Sequence, residues 1–427
     1  MERRRGPALP TILVALAIGI ALVACSPVAP SAVGPASAPP TRIPSVAPTA
    51  TADPATVYAA IEGQVQLLRE LTATSPVNPK LLDAATVKKN LAADFARDNP
   101  ADLVLANQRL LELMGLLPAG SSLMGLYVKL LGSQVAGYYD PHTKELYVVS
   151  KSGGIGPTER VIFAHEFTHA LEDQNFGLQN LHVDTIGQGD ASLAHLAVAE
   201  GDATLLMTLW AQAHLSPVEL LQMASEAGDP EQAKVLAEMP EILKQTLFFP
   251  YLSGLQLVTS ARAAGGWAAV DALYAKPPAS TEQVLHPDKL AAGEAPIQVA
   301  FPTDLAKRLG SGWSMDLQDT LGEFQLRIWL EAAGKVPFET ATAAAAGWGG
   351  DRVALVRNGD RLGAVLDTRW DSAKDAAEFA AAAQTTLDKL TARHAMVAID
   401  GTTRVTLLLA SDDATVSALA GALGLAQ

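Results

Sequence analysis

HEFTHALEDQ occupies residues 165–174 of a 427-residue chain that contains only eight histidines. His165 and His169 stand four positions apart, so on a helix both imidazoles leave the same face and can meet at one point. Glu166 lies one step around the helix. It is poorly placed to bind the same ion and well placed to reach a water held there. Two ligands and a general base are the mechanical content of the HExxH pattern. The same residues would also serve as a structural histidine pair, so the surrounding sequence has to decide.

Working outward, Gly153 to Gly156 form a Gly-rich link, and Pro157 and Glu159 suit the first turn of a helix. That helix is expected to reach about Asn175 and stop at Gly177. Upstream, QVAGYYDPHTKELYVVS (134–150) has two Val- and Tyr-rich runs around a polar turn and reads as a β-hairpin. Its second strand, Leu146 to Ser150, is expected to be a sheet edge that pairs with extended substrate backbone. Helical spacing covers Val57 to Leu71, Leu103 to Leu117, Ala191 to about His214, Glu219 to Gln245, Tyr251 to Ala264 and Gln318 to Ala333. The tail alternates instead. Val353 to Asp367 turns at Asn358-Gly359 and precedes a helix over Ser372 to Ala392. Ala395 to Leu409 turns at Asp400-Gly401 and precedes a short helix over Asp413 to Leu423. The tail therefore reads as two ββα units.

A catalytic zinc needs three protein ligands and one open position. Downstream candidates are Glu172, Asp173, His182, Asp184, Asp190, His195, Glu200, Asp202 and His214. Glu172 and Asp173 follow His169 on the same helix and suit hydrogen bonds to a ligand imidazole better than ligation. Glu200 is the strongest third ligand. It lies in ASLAHLAVAEGDATLLMTLW (191–210), where its face neighbours are mostly apolar and a carboxylate is costly to bury without a partner or a metal. Gly201 beside it permits another backbone to come close. Asp202 and His195, seven apart, are expected to pair with each other.

Together HEFTHALEDQNF (165–176) and VAEGDAT (198–204) resemble a group of bacterial zincin-like metallopeptidases with a gluzincin ligand pattern. GYYDPHTKELYVV (137–149), PPASTEQVLHP (277–287) and GWGGDRVAL (347–355) resemble the same group, and the likeness spans roughly residues 100 to 380. The resemblance implies zinc at His165, His169 and Glu200, with Glu166 as the base. His286 is a candidate stabiliser of the oxyanion of a tetrahedral intermediate. Tyr138, Tyr139 and Tyr251 are other possible donors. The expected fold is α+β: a mainly helical, zincin-like metallopeptidase domain with a small sheet over residues 55–345, then a small α+β region over 346–427.

The ends and the composition frame this reading. Arg3, Arg4 and Arg5 precede an apolar run, Leu9 to Ala24, that is too short for a standard membrane span. Leu22-Val23-Ala24-Cys25 resembles a bacterial lipobox, and Cys25 is the only cysteine. Residues 1–24 are expected to be a lipoprotein signal peptide, Cys25 the lipidated residue, and 25–54, rich in Pro, Ala, Ser and Thr, an extended tether. A net charge of −14 argues against nucleic acid as a partner. The expected activity is zinc-dependent hydrolysis of peptides or proteins by a lipid-anchored, extracytoplasmic enzyme. The alternative is an envelope lipoprotein that holds zinc without cutting. The sequence names neither the substrate nor the oligomeric state.

Overall fold

The computed structural model describes residues 13–16, 53–149, 154–226, 229–398 and 402–425. Cys25, nearly all of the expected leader and the tether up to residue 52 lie outside the described residues. Leu13–Leu16 is the described part of the leader; it forms a strand, β1. Among the described residues, no helix is long and apolar enough to cross a membrane.

The chain continues through α1 (Pro54–Arg69), β2 (Pro79–Leu82), α2 (Ala84–Asp98), α3 (Ala101–Leu113) and α4 (Leu123–Gln134). The hairpin β3 (Val135–Asp140) and β4 (Glu145–Val149) leads into α5 (Pro157–Phe176), then α6 (Gly189–His214), α7 (Pro217–Glu226), α8 (Pro230–Glu238) and α9 (Glu241–Ala275). Short helices follow: α10 (Thr281–Leu285), α11 (Pro287–Ala292) and α12 (Leu305–Arg308). The rest is β5 (Ser314–Asp319), α13 (Gly322–Ala332), α14 (Phe338–Ala345), β6 (Trp348–Asn358), β7 (Arg361–Trp370), α15 (Ala373–Leu387), β8 (Arg393–Ala398), β9 (Arg404–Ala410) and α16 (Asp413–Leu423). The architecture is mixed α+β with two small sheets.

The first sheet has the order β1-β3-β4-β2. Its hairpin turns on Asp140, whose Oδ1 accepts the backbone N–H of His142 at 2.8 Å, an Asx turn. β4 is not the sheet edge expected of it. It lies between β3 and β2, paired antiparallel with the first and parallel with the second. The four residues Pro79–Leu82 carry too little strand signal for their sequence to announce that partner. Helix α5 packs against β3 at Gly137. A Cβ there would stand 2.7 Å from Ile162 Cγ2 and 3.2 Å from Glu166 Cγ. The missing side chain brings the HExxH helix down onto the strand.

Helix α9 departs from the sequence reading at Pro250. The helix continues through Pro250, joining stretches expected to be separate. It breaks at Gly265 and Gly266, where the helix expected over Tyr251 to Ala264 ends, the latter at φ 66°. The segment expected to be one helix over 219–245 is also split, into α7, α8 and the start of α9.

The second sheet has the order β5-β6-β7-β9-β8, with hairpins β6–β7 and β8–β9 joined by antiparallel β7–β9. With α15 after β7 and α16 after β9, the tail is built from the two expected ββα units. The sheet reaches back past residue 346, because β5 belongs to it and pairs with β6. SMDLQD carries two aspartates and one buried residue, Leu317, so its alternation is faint. The core also runs across the boundary. Trp329 on α13 donates its indole N–H to the Met114 carbonyl at 3.0 Å, and one cluster of buried side chains joins α5 and α6 to Trp348 and Phe379.

Candidate metal centre

Helix α5 starts as its sequence directs. Pro157 takes a first-turn position, and the Glu159 carboxylate accepts the Gly156 N–H at 2.8 Å. Val161 to Asp173 are all buried, so polar side chains on this helix have no solvent to retreat to. His165, Glu166 and His169 are at most 1% exposed, and Glu200, on the equally buried α6, is 2% exposed. Groups this polar persist in such a place only with partners.

The partners are one another. His165 Nε2 and His169 Nε2 are 3.1 Å apart, with their rings at 90°. Glu200 Oε2 lies 3.3 Å from the first nitrogen and 3.5 Å from the second. Donors about 2.0–2.1 Å from a tetrahedral zinc are separated by roughly 3.3 Å, the spacing seen here. No hydrogen bond of full geometry reaches Glu200 Oε2, although it is completely buried. An acceptor oxygen and two imidazole nitrogens thus converge on one point, and a small cation fits that donor set. Burial alone would raise the Glu200 pKa, but His169 and His165 hold it down to about 2, so the carboxylate stays charged.

The surroundings fix the two rings differently. His169 Nδ1 lies 2.9 Å from Glu172 Oε2; donation to that carboxylate turns the Nε2 lone pair towards the centre. Burial opposes a charge on His169, but Glu172 and Glu200 outweigh it and raise its pKa well above the ordinary value. His165 has no such carboxylate at Nδ1. Burial is the largest influence on it and lowers its pKa. Its ring stacks on Tyr251, with centres 6.3 Å apart.

Tyr251 arrives through a close helix crossing. A Cβ on Gly201 would lie 2.3 Å from the Gly254 carbonyl, and one on Gly254 would lie 2.2 Å from the Ala197 carbonyl oxygen. The paired glycines let α6 and α9 touch backbone to backbone, the close approach expected at Gly201. Tyr251, one turn before Gly254, thereby faces Glu200. Burial first, and then the Glu200 and Glu166 carboxylates, push its hydroxyl pKa well above the ordinary tyrosine value.

The other sequence candidates lie elsewhere. His286 is claimed by Glu323, whose carboxylate oxygens stand 2.9 and 3.0 Å from Nε2. None of its hydrogen bonds, ion pairs or ring contacts reaches the histidine pair. The Glu323 carboxylate thus holds the ring by Nε2, and Nδ1 is its second ring nitrogen. Asp173 accepts from Tyr139 at 2.8 Å and from Lys144 at 2.5 Å, so of the two acidic residues it is Glu172 that meets His169. The expected pairing of Asp202 with His195 is also absent. His195 bonds the Leu181 carbonyl, while Asp202 is gripped by Arg69 at 2.9 Å. Asp190 binds Thr281. One further acidic group, Glu282, Glu294 and Asp371, already surrounds a cation, the Lys289 ammonium, at 2.6, 3.0 and 2.5 Å.

Sequence reasoning missed Arg69 and Tyr274 and ranked Tyr251 among three tyrosines without choosing it. Their roles depend on which helix faces meet, and local periodicity does not carry that information.

A family described as a domain of unknown function (DUF8575) matches residues 290–423, the span that contains the second sheet. That match begins well before residue 346, as the sheet does. No curated protein and no solved structure matches the chain.

Proposed function

We propose that the protein is a zinc-dependent peptidase of zincin-like fold, with His165, His169 and Glu200 as ligands and Glu166 as general base. The observation that carries this reading is the buried triangle of donor atoms, with edges of 3.1, 3.3 and 3.5 Å. A hairpin that feeds the HExxH helix, and a following helix that delivers the carboxylate, support it further.

A zinc ion held there supplies Lewis acidity and a water acidic enough to ionise near neutral pH. The protein's own groups do the rest. Glu166 accepts the proton as the water oxygen adds to the scissile carbonyl, then delivers it to the leaving amine. Tyr251, whose hydroxyl faces Glu200 and Glu166, acts as a donor to the carbonyl oxygen as negative charge builds there. His169 keeps its orientation through Glu172. The substrate class is peptides or proteins. The likeness of Leu22-Val23-Ala24-Cys25 to a lipobox supports a position on the outer side of a cell membrane, held by a lipid.

The test is Glu166→Gln. It removes the base and leaves all three ligands in place. Metal content should equal that of the wild type, and peptide hydrolysis should fall by about 10²- to 10⁴-fold. Unchanged turnover would remove Glu166 from the mechanism. Bound metal with no hydrolysis of any peptide by the wild type would favour the zinc-holding lipoprotein instead.

A further inference from the structure

Behind His169 lies a second buried polar cluster that the peptidase chemistry does not use. Arg69, at the end of α1, is fully buried. Its Nε donates to both oxygens of Asp202 at 3.0 and 2.9 Å, and its Nη2 donates to Asp271 at 2.7 Å. The Tyr274 hydroxyl also donates to Asp202, at 3.0 Å. The break at Gly265–Gly266 makes this possible by re-aiming the second part of α9. Trp267, Asp271 and Tyr274, four and three positions apart, then face Arg69 together. The Trp267 ring centre is 4.5 Å from the guanidinium carbon.

The cluster reaches the candidate metal ligands through one residue, Glu172. Glu172 holds His169 with Oε2, while its buried Oε1 has no hydrogen bond of full geometry. The Tyr274 hydroxyl lies alongside that carboxylate, pinned by Asp202. The Tyr274 ring is itself fixed by stacking on Phe176, 4.4 Å between centres. A carboxylate free to turn would let the imidazole turn with it. Tyr274 stands beside Glu172, and Asp202, itself held by Arg69, fixes the Tyr274 hydroxyl there.

We propose that Arg69, Asp202 and Tyr274 form a positioning device that fixes the orientation of the ligand His169 through Glu172. The proposal rests on the reading of His165, His169 and Glu200 as a metal site. It makes α1, at the very start of the described domain, part of the machinery of a site about a hundred residues away in sequence.

The experiment measures zinc affinity of the full chain by chelator competition, with the visible spectrum of the cobalt-loaded protein and thermal unfolding of the metal-free protein. Tyr274→Phe keeps the ring stack and deletes only the hydroxyl. Asp202→Asn keeps the shape and removes the charge that holds Arg69, and it decides the matter if the first variant does not fold. Each should weaken zinc binding by about 10- to 100-fold and alter the cobalt spectrum. Wild-type affinity and an unchanged spectrum in the folded variants would overturn the proposal, even if their unfolding temperature dropped. A wild type that holds no zinc would overturn the metal-site reading itself, and this proposal with it.

Discussion

Gly201 and Gly254 meet so closely that a methyl group on Gly201 would stand 2.3 Å from the Gly254 carbonyl. The obstacle is backbone rather than a flexible side-chain end, so neither helix can yield locally. Gly201→Ala must therefore push α9 off α6, at a cost of about 1–3 kcal/mol or more. It should also carry Tyr251 away from Glu200. Chemical denaturation should show the loss of stability, and zinc titration should show weaker binding. A variant with wild-type stability would mean that the crossing is looser than described.

Tyr251→Phe keeps the ring that stacks on His165 and removes the hydroxyl that faces Glu200 and Glu166. Loss of one donor to a developing oxyanion lowers kcat by about 10²- to 10³-fold. Zinc content should stay at the wild-type level, and KM should change little. His286→Gln should leave kcat nearly unchanged, because that histidine is bound to Glu323. Equal kcat losses in the two variants would return His286 to the reaction.

His286 should instead make stability depend on pH. Its hydrogen bond to Glu323 is the main influence on its pKa and raises it, against the opposing pull of burial. The charged form is thus favoured in the folded state. The stabilisation is complete below the unfolded-state value of about 6.5 and disappears as pH rises through the folded-state value above it. The side chain is about a third exposed, so solvent screening limits the effect to about 1 kcal/mol. The stability difference between wild type and His286→Gln should be largest below the unfolded-state value and shrink as pH rises above it. A difference that does not vary with pH would contradict the pairing.

Much of the candidate centre was legible because its information is local. The i, i+4 spacing of His165 and His169 fixes their shared face, and Glu172 follows at i+3 to meet His169. Glu200 was identifiable as a carboxylate among small apolar neighbours, a placement that requires a partner. The β3–β4 turn at Asp140 and the capped start of α5 were equally local. Contacts between distant segments were not legible. Nothing near Leu146 announces that Pro79–Leu82 will cover the edge of β4. Nothing near His195 announces that Arg69 will take Asp202. The partner of His286 was hidden for the same reason, since Glu323 approaches it from thirty-seven residues away.

Three donor atoms surround one point, His165 Nε2, His169 Nε2 and Glu200 Oε2. Metal analysis of the purified chain, beside Glu200→Ala, tests it most directly. About one zinc per wild-type chain is expected, with substantial loss in the variant, because a site reduced to two imidazoles lacks the third protein ligand of a catalytic zinc. A wild type free of metal, or a Glu200→Ala variant that holds zinc as tightly as the wild type, would contradict it.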